Sequence, residues 1–134
     1  MDKIKQLFLL ALSTLTLYSA AAVYEKTVFA EWDKPSINVF YVLPQEVNDQ
    51  TEILFIIHGN IRNADGYIEV WANYAKDKNI ILIAPEFSRS KFSNYNTLQM
   101  SSSTGKILKN RDLYLNNSID IMFNHFKNLF GVQT

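Results

Sequence analysis

Residues 53–57 read Ile-Leu-Phe-Ile-Ile, and no polar residue interrupts them. A strand with one wet face alternates apolar and polar side chains. An unbroken apolar run needs cover on both faces, and such strands belong to the middle of parallel or mixed sheets. Residues 79–84, Asn-Ile-Ile-Leu-Ile-Ala, make the same demand, and Pro85 is expected to stop them. Between the two, Tyr67, Val70, Trp71, Tyr74 and Ala75 recur at intervals of three and four. That spacing predicts a helix over 65–78 with an apolar stripe, and Asn63 or Asp65 is available as its N-cap. Strand, helix, strand makes a βαβ unit, whose crossover should be right-handed.

The flanks extend this unit. Segments 27–32 and 37–43 predict two more strands, separated by a turn at Asp-Lys-Pro-Ser and closed by Pro44. Residues 45–52 form a solvated loop. Residues 86–105 form a long polar loop, and a loop of that length inside a domain is usually functional or locally ordered. Over 110–130 a second helix is predicted, with Leu115, Ile119, Met122, Phe126 and Leu129 as its stripe and Gly131 to end it. The fold class is α/β, with about four strands and two main helices. The sheet reads as incomplete: a crossover helix normally delivers the chain to another strand, and none follows this one.

The N-terminus is read separately. Two lysines in Met-Asp-Lys-Ile-Lys, an apolar run from Leu7 and small residues up to Ala22 follow the order of a signal peptide over 1–22. The alternative is an uncleaved anchor at 7–23, which is short and contains Ser13, Thr14, Thr16 and Ser19. Cleavage would leave a secreted or periplasmic domain over 23–134 with no stable membrane span. That domain has eleven basic and twelve acidic residues, against 13 of each in the full chain. Such a balance argues against a nucleic-acid partner. There is no cysteine, so neither disulfides nor thiolate zinc ligands contribute. With two histidines and no recognisable ligand spacing, neither metal nor cofactor is expected.

Ile-Ile-His-Gly-Asn-Ile-Arg-Asn-Ala-Asp-Gly-Tyr at 56–67, followed by Leu-Ile-Ala-Pro-Glu-Phe at 82–87, resembles the α/β-hydrolase superfamily. It is most similar to secreted bacterial esterases and polyester depolymerases, over about residues 24–130. The resemblance implies the N-terminal portion of such a sheet and a small-molecule or polymeric ester as substrate. In that superfamily the loop after the third strand supplies one N–H donor to the oxyanion, and the residue after the nucleophile supplies another. Here the first donor would be the Asn60 N–H, with Ile61 beside it. Gly59 would let the backbone turn tightly.

His58 precedes any candidate nucleophile, whereas the superfamily order puts the catalytic histidine last. It is therefore read as a loop-shaping residue, bonded through its ring to backbone. Arg62, Asn63 and Asp65 form either a hydrogen-bonded knot or a set of solvated charges, and Glu86 is placed to pair with Arg62. Ser103, in Ser-Ser-Ser-Thr-Gly, is the nearest approach to a nucleophile elbow. An elbow needs a buried strand before it, and Tyr-Asn-Thr-Leu-Gln-Met is not one. His125 reads as a helix-surface residue. Three functions stay open: an esterase fragment without its nucleophile, acid and base; a non-catalytic secreted module that binds through Phe87, Phe92 and Tyr95 of the 86–105 loop; and a small active hydrolase using Ser103. If no strand lies beside residues 53–57, that edge invites self-association.

Overall fold

The computed structural model describes residues 23–133, so the expectations for a signal peptide or anchor fall outside it. Four strands form one mixed sheet: β1 (Glu25–Phe29), β2 (Ile37–Val42), β3 (Glu52–Phe55) and β4 (Ile80–Glu86), in the order β1-β2-β4-β3. β1 and β4 both run antiparallel to β2, and β3 runs parallel to β4. Helix α1 (Ala64–Asp77) connects β3 to β4. Helix α2 (Ser118–Phe130) follows the long loop. The chain is thus α/β. Among the described residues no helix is long and apolar enough to cross a membrane.

β4 is the central strand that its composition demands. Ile80, Leu82 and Ala84 meet α1 on one face, together with Phe40 and Val42 of β2. Ile81 and Ile83 join Phe29, Val39, Phe92, Leu115, Met122 and Phe126 on the other. The strand passes through Pro85, which sits opposite Val39 of β2. Pro85 lacks an N–H, yet the ladder survives for a geometric reason. The Ile83 carbonyl accepts from the Ile56 N–H, so Ile83, and Pro85 two residues on, direct their polar groups towards β3. β3 has ended by then, and the missing donor costs no bond to β2.

β3 departs from expectation. It is an edge strand among the described residues, and Leu54 and Ile57 are 41% and 40% exposed. Its Glu52 and Ile56 N–H groups bond towards β4. The backbone groups of Ile53, Phe55 and Ile57 therefore face the open side. A sequence suited to a strand covered on both faces lies at the rim.

α1 buries a face other than the one predicted, and α2 buries part of its predicted stripe. α1 packs on the sheet through Ala64, Ile68, Ala72 and Ala75. The three alanines let the helix axis come close to β4. Of the predicted stripe only Ala75 is buried; Tyr67, Trp71 and Tyr74 are exposed, and Val70 is 80% exposed. α2 begins at Ser118, not near residue 110, because a short 3₁₀ turn at Arg111–Leu113 precedes it. Leu115 still reaches the core from before the helix, with Met122 and Phe126, whereas Ile119 and Leu129 are exposed. Gly131 ends α2 at φ 70°, and the Val132 N–H closes back on the Lys127 carbonyl at 3.0 Å.

The 86–105 loop is ordered by its own aromatics. Phe87 and Phe92 are buried in the core, and Tyr95 is partly buried against it. They are not a stacking surface for a partner, which removes the feature that favoured a binding module.

Candidate functional site

The segment after β3 begins with a committed histidine. His58 is 2% exposed. Its Nε2 accepts the Phe87 N–H at 2.9 Å, and its Nδ1 lies 3.0 Å from the Gly59 carbonyl. A neutral ring protonated on Nδ1 satisfies both contacts. Burial lowers the His58 pKa, with the Gly59 carbonyl opposing and the Arg62 charge adding to the decrease. Below about pH 6.5 the unfolded chain binds a proton that the folded chain resists, so the His58 contribution is complete above that pH and declines as pH falls through it. Urea unfolding should therefore show stability falling from about pH 7 to 5. In His58→Gln, whose side-chain oxygen can accept from the Phe87 N–H, that slope should shrink. A wild-type stability that is flat across the interval would contradict this.

Gly59 and Arg62 close a turn, the Arg62 N–H donating to the Gly59 carbonyl at 3.1 Å. The strained residue is Arg62, at φ 69°, and not Gly59, whose φ lies outside the left-handed region. Gly59 matters for space: a Cβ there would come within 3.3 Å of the Tyr67 hydroxyl. Asn60 and Ile61 occupy the corner and are exposed. Among the described residues, neither of their N–H groups donates to a backbone carbonyl. The Asn60 carbonyl is held by the Arg89 guanidinium at 2.7 Å.

Arg62 is the keystone of this region and is 9% exposed. Its Nη1 donates to the Phe87 carbonyl and, at 2.9 Å, to that of Phe92; its Nη2 reaches the Ser93 carbonyl at 3.2 Å. Its guanidinium carbon lies 3.9 Å from the centre of the Tyr95 ring. The Tyr95 hydroxyl in turn donates to the His58 carbonyl. Burial lowers the Arg62 pKa. A planar fork serves several carbonyls and stacks on an aromatic face at once, which an ammonium does not do.

The other expected residues go elsewhere. Glu86 accepts from Asn38 Nδ2 at 2.6 Å and does not pair with Arg62. Asp65 accepts the Gly66 N–H at 2.9 Å in the first turn of α1, where a negative charge suits the helix dipole. Asn63 stands at the N-cap position without a side-chain cap bond. Arg62, Asn63 and Asp65 thus form no single knot. Ser103 lies in the exposed tip of a small hairpin closed by the Ser101–Ile107 bridge, with no hydrogen bond to a histidine or carboxylate among the described residues. His125 packs edge-on against Phe29 and Phe126, with ring centres 5.1 and 4.9 Å away. The contributions of Arg89 and Tyr95 were not read from the sequence. The signal for Tyr95 was the clustering of aromatics in an otherwise polar loop, and Arg89 carried none.

No protein-family model and no curated protein matches the chain. Solved structures do. Poly(aspartic acid) hydrolase-1 from Sphingomonas sp. KT-1 shares 31% identity at a TM-score of 0.71, over 83% of this chain and 43% of that one. LpqC, a poly(3-hydroxybutyrate) depolymerase from Bordetella parapertussis, shares the fold at a TM-score of 0.66 and 15% identity, over 81% of this chain and 39% of its own. The chain therefore has a hydrolase-type fold and spans less than half the length of either structure.

Proposed function

We propose that this chain is the N-terminal part of a secreted α/β-hydrolase-like serine esterase, contributing its oxyanion loop but not its nucleophile, acid or base. The observation that carries the reading is the corner at Asn60 and Ile61. Two backbone N–H groups without acceptors stand at the end of β3, on a base fixed by His58 and Arg62. Acyl transfer concentrates negative charge on a carbonyl oxygen, and each donor fixed about 3 Å away lowers the barrier by roughly 3 kcal/mol. A second donor would come from the residue after a nucleophile. The edge of β3, unpaired among the described residues, offers a place for the strand that would carry one. Solved structures of which the chain covers only 43% and 39% support the same reading. The proposed substrate of the complete domain is a carboxylic ester, small or polymeric; of the two similar structures one is named for a polyester, poly(3-hydroxybutyrate), and the other for an amide-linked polymer, poly(aspartic acid).

His58 has no nitrogen free to serve as a base, and Ser103 has no base beside it. The chain alone should therefore hydrolyse p-nitrophenyl butyrate at the rate of buffer, and Ser103→Ala should change nothing. Turnover above buffer that disappears in Ser103→Ala would overturn the proposal.

A further inference from the structure

Charge is spread unevenly along this chain. Residues 87–111 hold five basic residues and no acidic one, whereas residues 23–86 hold five basic and ten acidic. Arg89 and Lys91 are occupied within the molecule, on the carbonyls of Asn60 and Ser36. Lys106, Lys109 and Arg111 are exposed, and among the described residues none of them has a carboxylate within ion-pair distance. The same segment exposes its aliphatic side chains: Ile107 is 73% exposed, and Leu98 and Met100 are exposed too. Met100, Ile107, Arg111 and Tyr114 line one cleft of about 500 Å³, so cation and apolar surface meet there.

The backbone beneath this surface is fixed. The Leu108 N–H donates to the Met100 carbonyl at 2.9 Å, the Ser102 N–H to the Lys106 carbonyl at 2.8 Å, and the Tyr114 hydroxyl to the Leu108 carbonyl at 2.7 Å. Leu98 and Gln99 hold successive left-handed φ values of 54° and 57°, which side chains oppose. Buried Gln99 pins them, its Oε1 accepting the Asn94 N–H. A hairpin of defined shape thus holds aliphatic side chains out in water between free cations. A soluble polyanion would satisfy the cations and leave the aliphatic side chains wet. An anionic phospholipid surface satisfies both, since its charge attracts lysine and arginine and its headgroup region takes up apolar side chains. Asp112 and Asp120, both exposed, are the nearby charges that oppose it.

We infer that the hairpin of residues 100–108 docks this chain on an anionic phospholipid surface, with Met100 and Ile107 entering the headgroup region and Lys106, Lys109 and Arg111 meeting the lipid phosphates. Such docking goes beyond the esterase reading and stands if that reading fails. The chain has no cysteine, so Thr104→Cys at the exposed tip offers a single site for an environment-sensitive fluorophore. In the full chain that dye reports the hairpin itself, whatever residues 1–22 contribute. Phosphatidylcholine vesicles containing phosphatidylglycerol should shift its emission to the blue, and pure phosphatidylcholine should act far more weakly. In the labelled chain Lys106→Gln, Lys109→Gln and Arg111→Gln should each weaken vesicle binding about fivefold. Ile107→Ser should weaken it about tenfold or more. Circular dichroism establishes that each variant is folded. Four results would each overturn the docking: no blue shift with anionic vesicles, an equal shift with neutral ones, binding indifferent to all three cation substitutions, or binding indifferent to Ile107→Ser, which would make the surface a site for a soluble polyanion instead.

Discussion

Arg62→Ala should cost about 3–4 kcal/mol of unfolding free energy, a large share of what a domain of this size possesses. Three carbonyls lose their donor together, those of Phe87, Phe92 and Ser93. Each buried acceptor left without a partner costs about 1–3 kcal/mol, and water entering the gap returns part of that. The Tyr95 ring also loses the cation stacked on it. Two further variants separate the clamp from the backbone. Arg62→Gly removes the clamp but relieves the left-handed conformation at φ 69°, so it should recover about 1 kcal/mol relative to alanine. Arg62→Lys keeps a charge but cannot reach three carbonyls in a plane, so it should fall well short of wild type. Urea titration of the set decides the matter. All three variants lying within about 0.5 kcal/mol of wild type, the range of a surface substitution, would remove Arg62 from its role.

The second large effect is expected in solution behaviour. β3 presents the outward backbone groups of Ile53, Phe55 and Ile57, and exposes Leu54 and Ile57 beside them. It carries no charge and no proline between residues 53 and 57, and among the described residues no strand pairs with its outer edge. We propose that the chain self-associates through this edge at micromolar concentration. Leu54→Lys places a charge where a partner strand would pack, and should weaken association at least tenfold. Sedimentation velocity of both proteins across a concentration series measures it. A wild-type chain that stays a monodisperse monomer throughout would contradict the proposal.

Much of the architecture was legible because burial leaves a direct trace in composition. Residues 80–84 could only be a strand covered on both faces, and β4 is that strand. Gly131 announced the end of α2 because glycine adopts the left-handed conformation without the cost a side chain would bring. Other parts were hidden because the deciding partner is not local. Pro85 looked like a stop, yet the side of the strand it faces has no ladder to interrupt. On α1 the large aromatics suggested the buried face, whereas close approach to the sheet selected Ala64, Ala72 and Ala75 instead. Periodicity cannot separate these two faces, since both recur at helical spacing. Residues 53–57 were expected to be covered on both faces, but β3 pairs with β4 on one edge only and leaves Leu54 exposed. The candidate site was legible in its residue types and not in its wiring. An arginine and an aspartate three residues apart in a turn invite a local pairing. That Arg62 instead turns inward to three carbonyls depends on Phe87, Phe92 and Ser93, brought back some thirty residues later.

The central claim is that the chain holds an oxyanion loop with no activated nucleophile to use it. Intact-mass analysis after exposure to a fluorophosphonate, which reacts only with an activated serine, tests it most directly. The account predicts an unmodified chain under conditions that fully label a competent serine esterase. One adduct per chain, mapping to Ser103 and lost in Ser103→Ala, would contradict it.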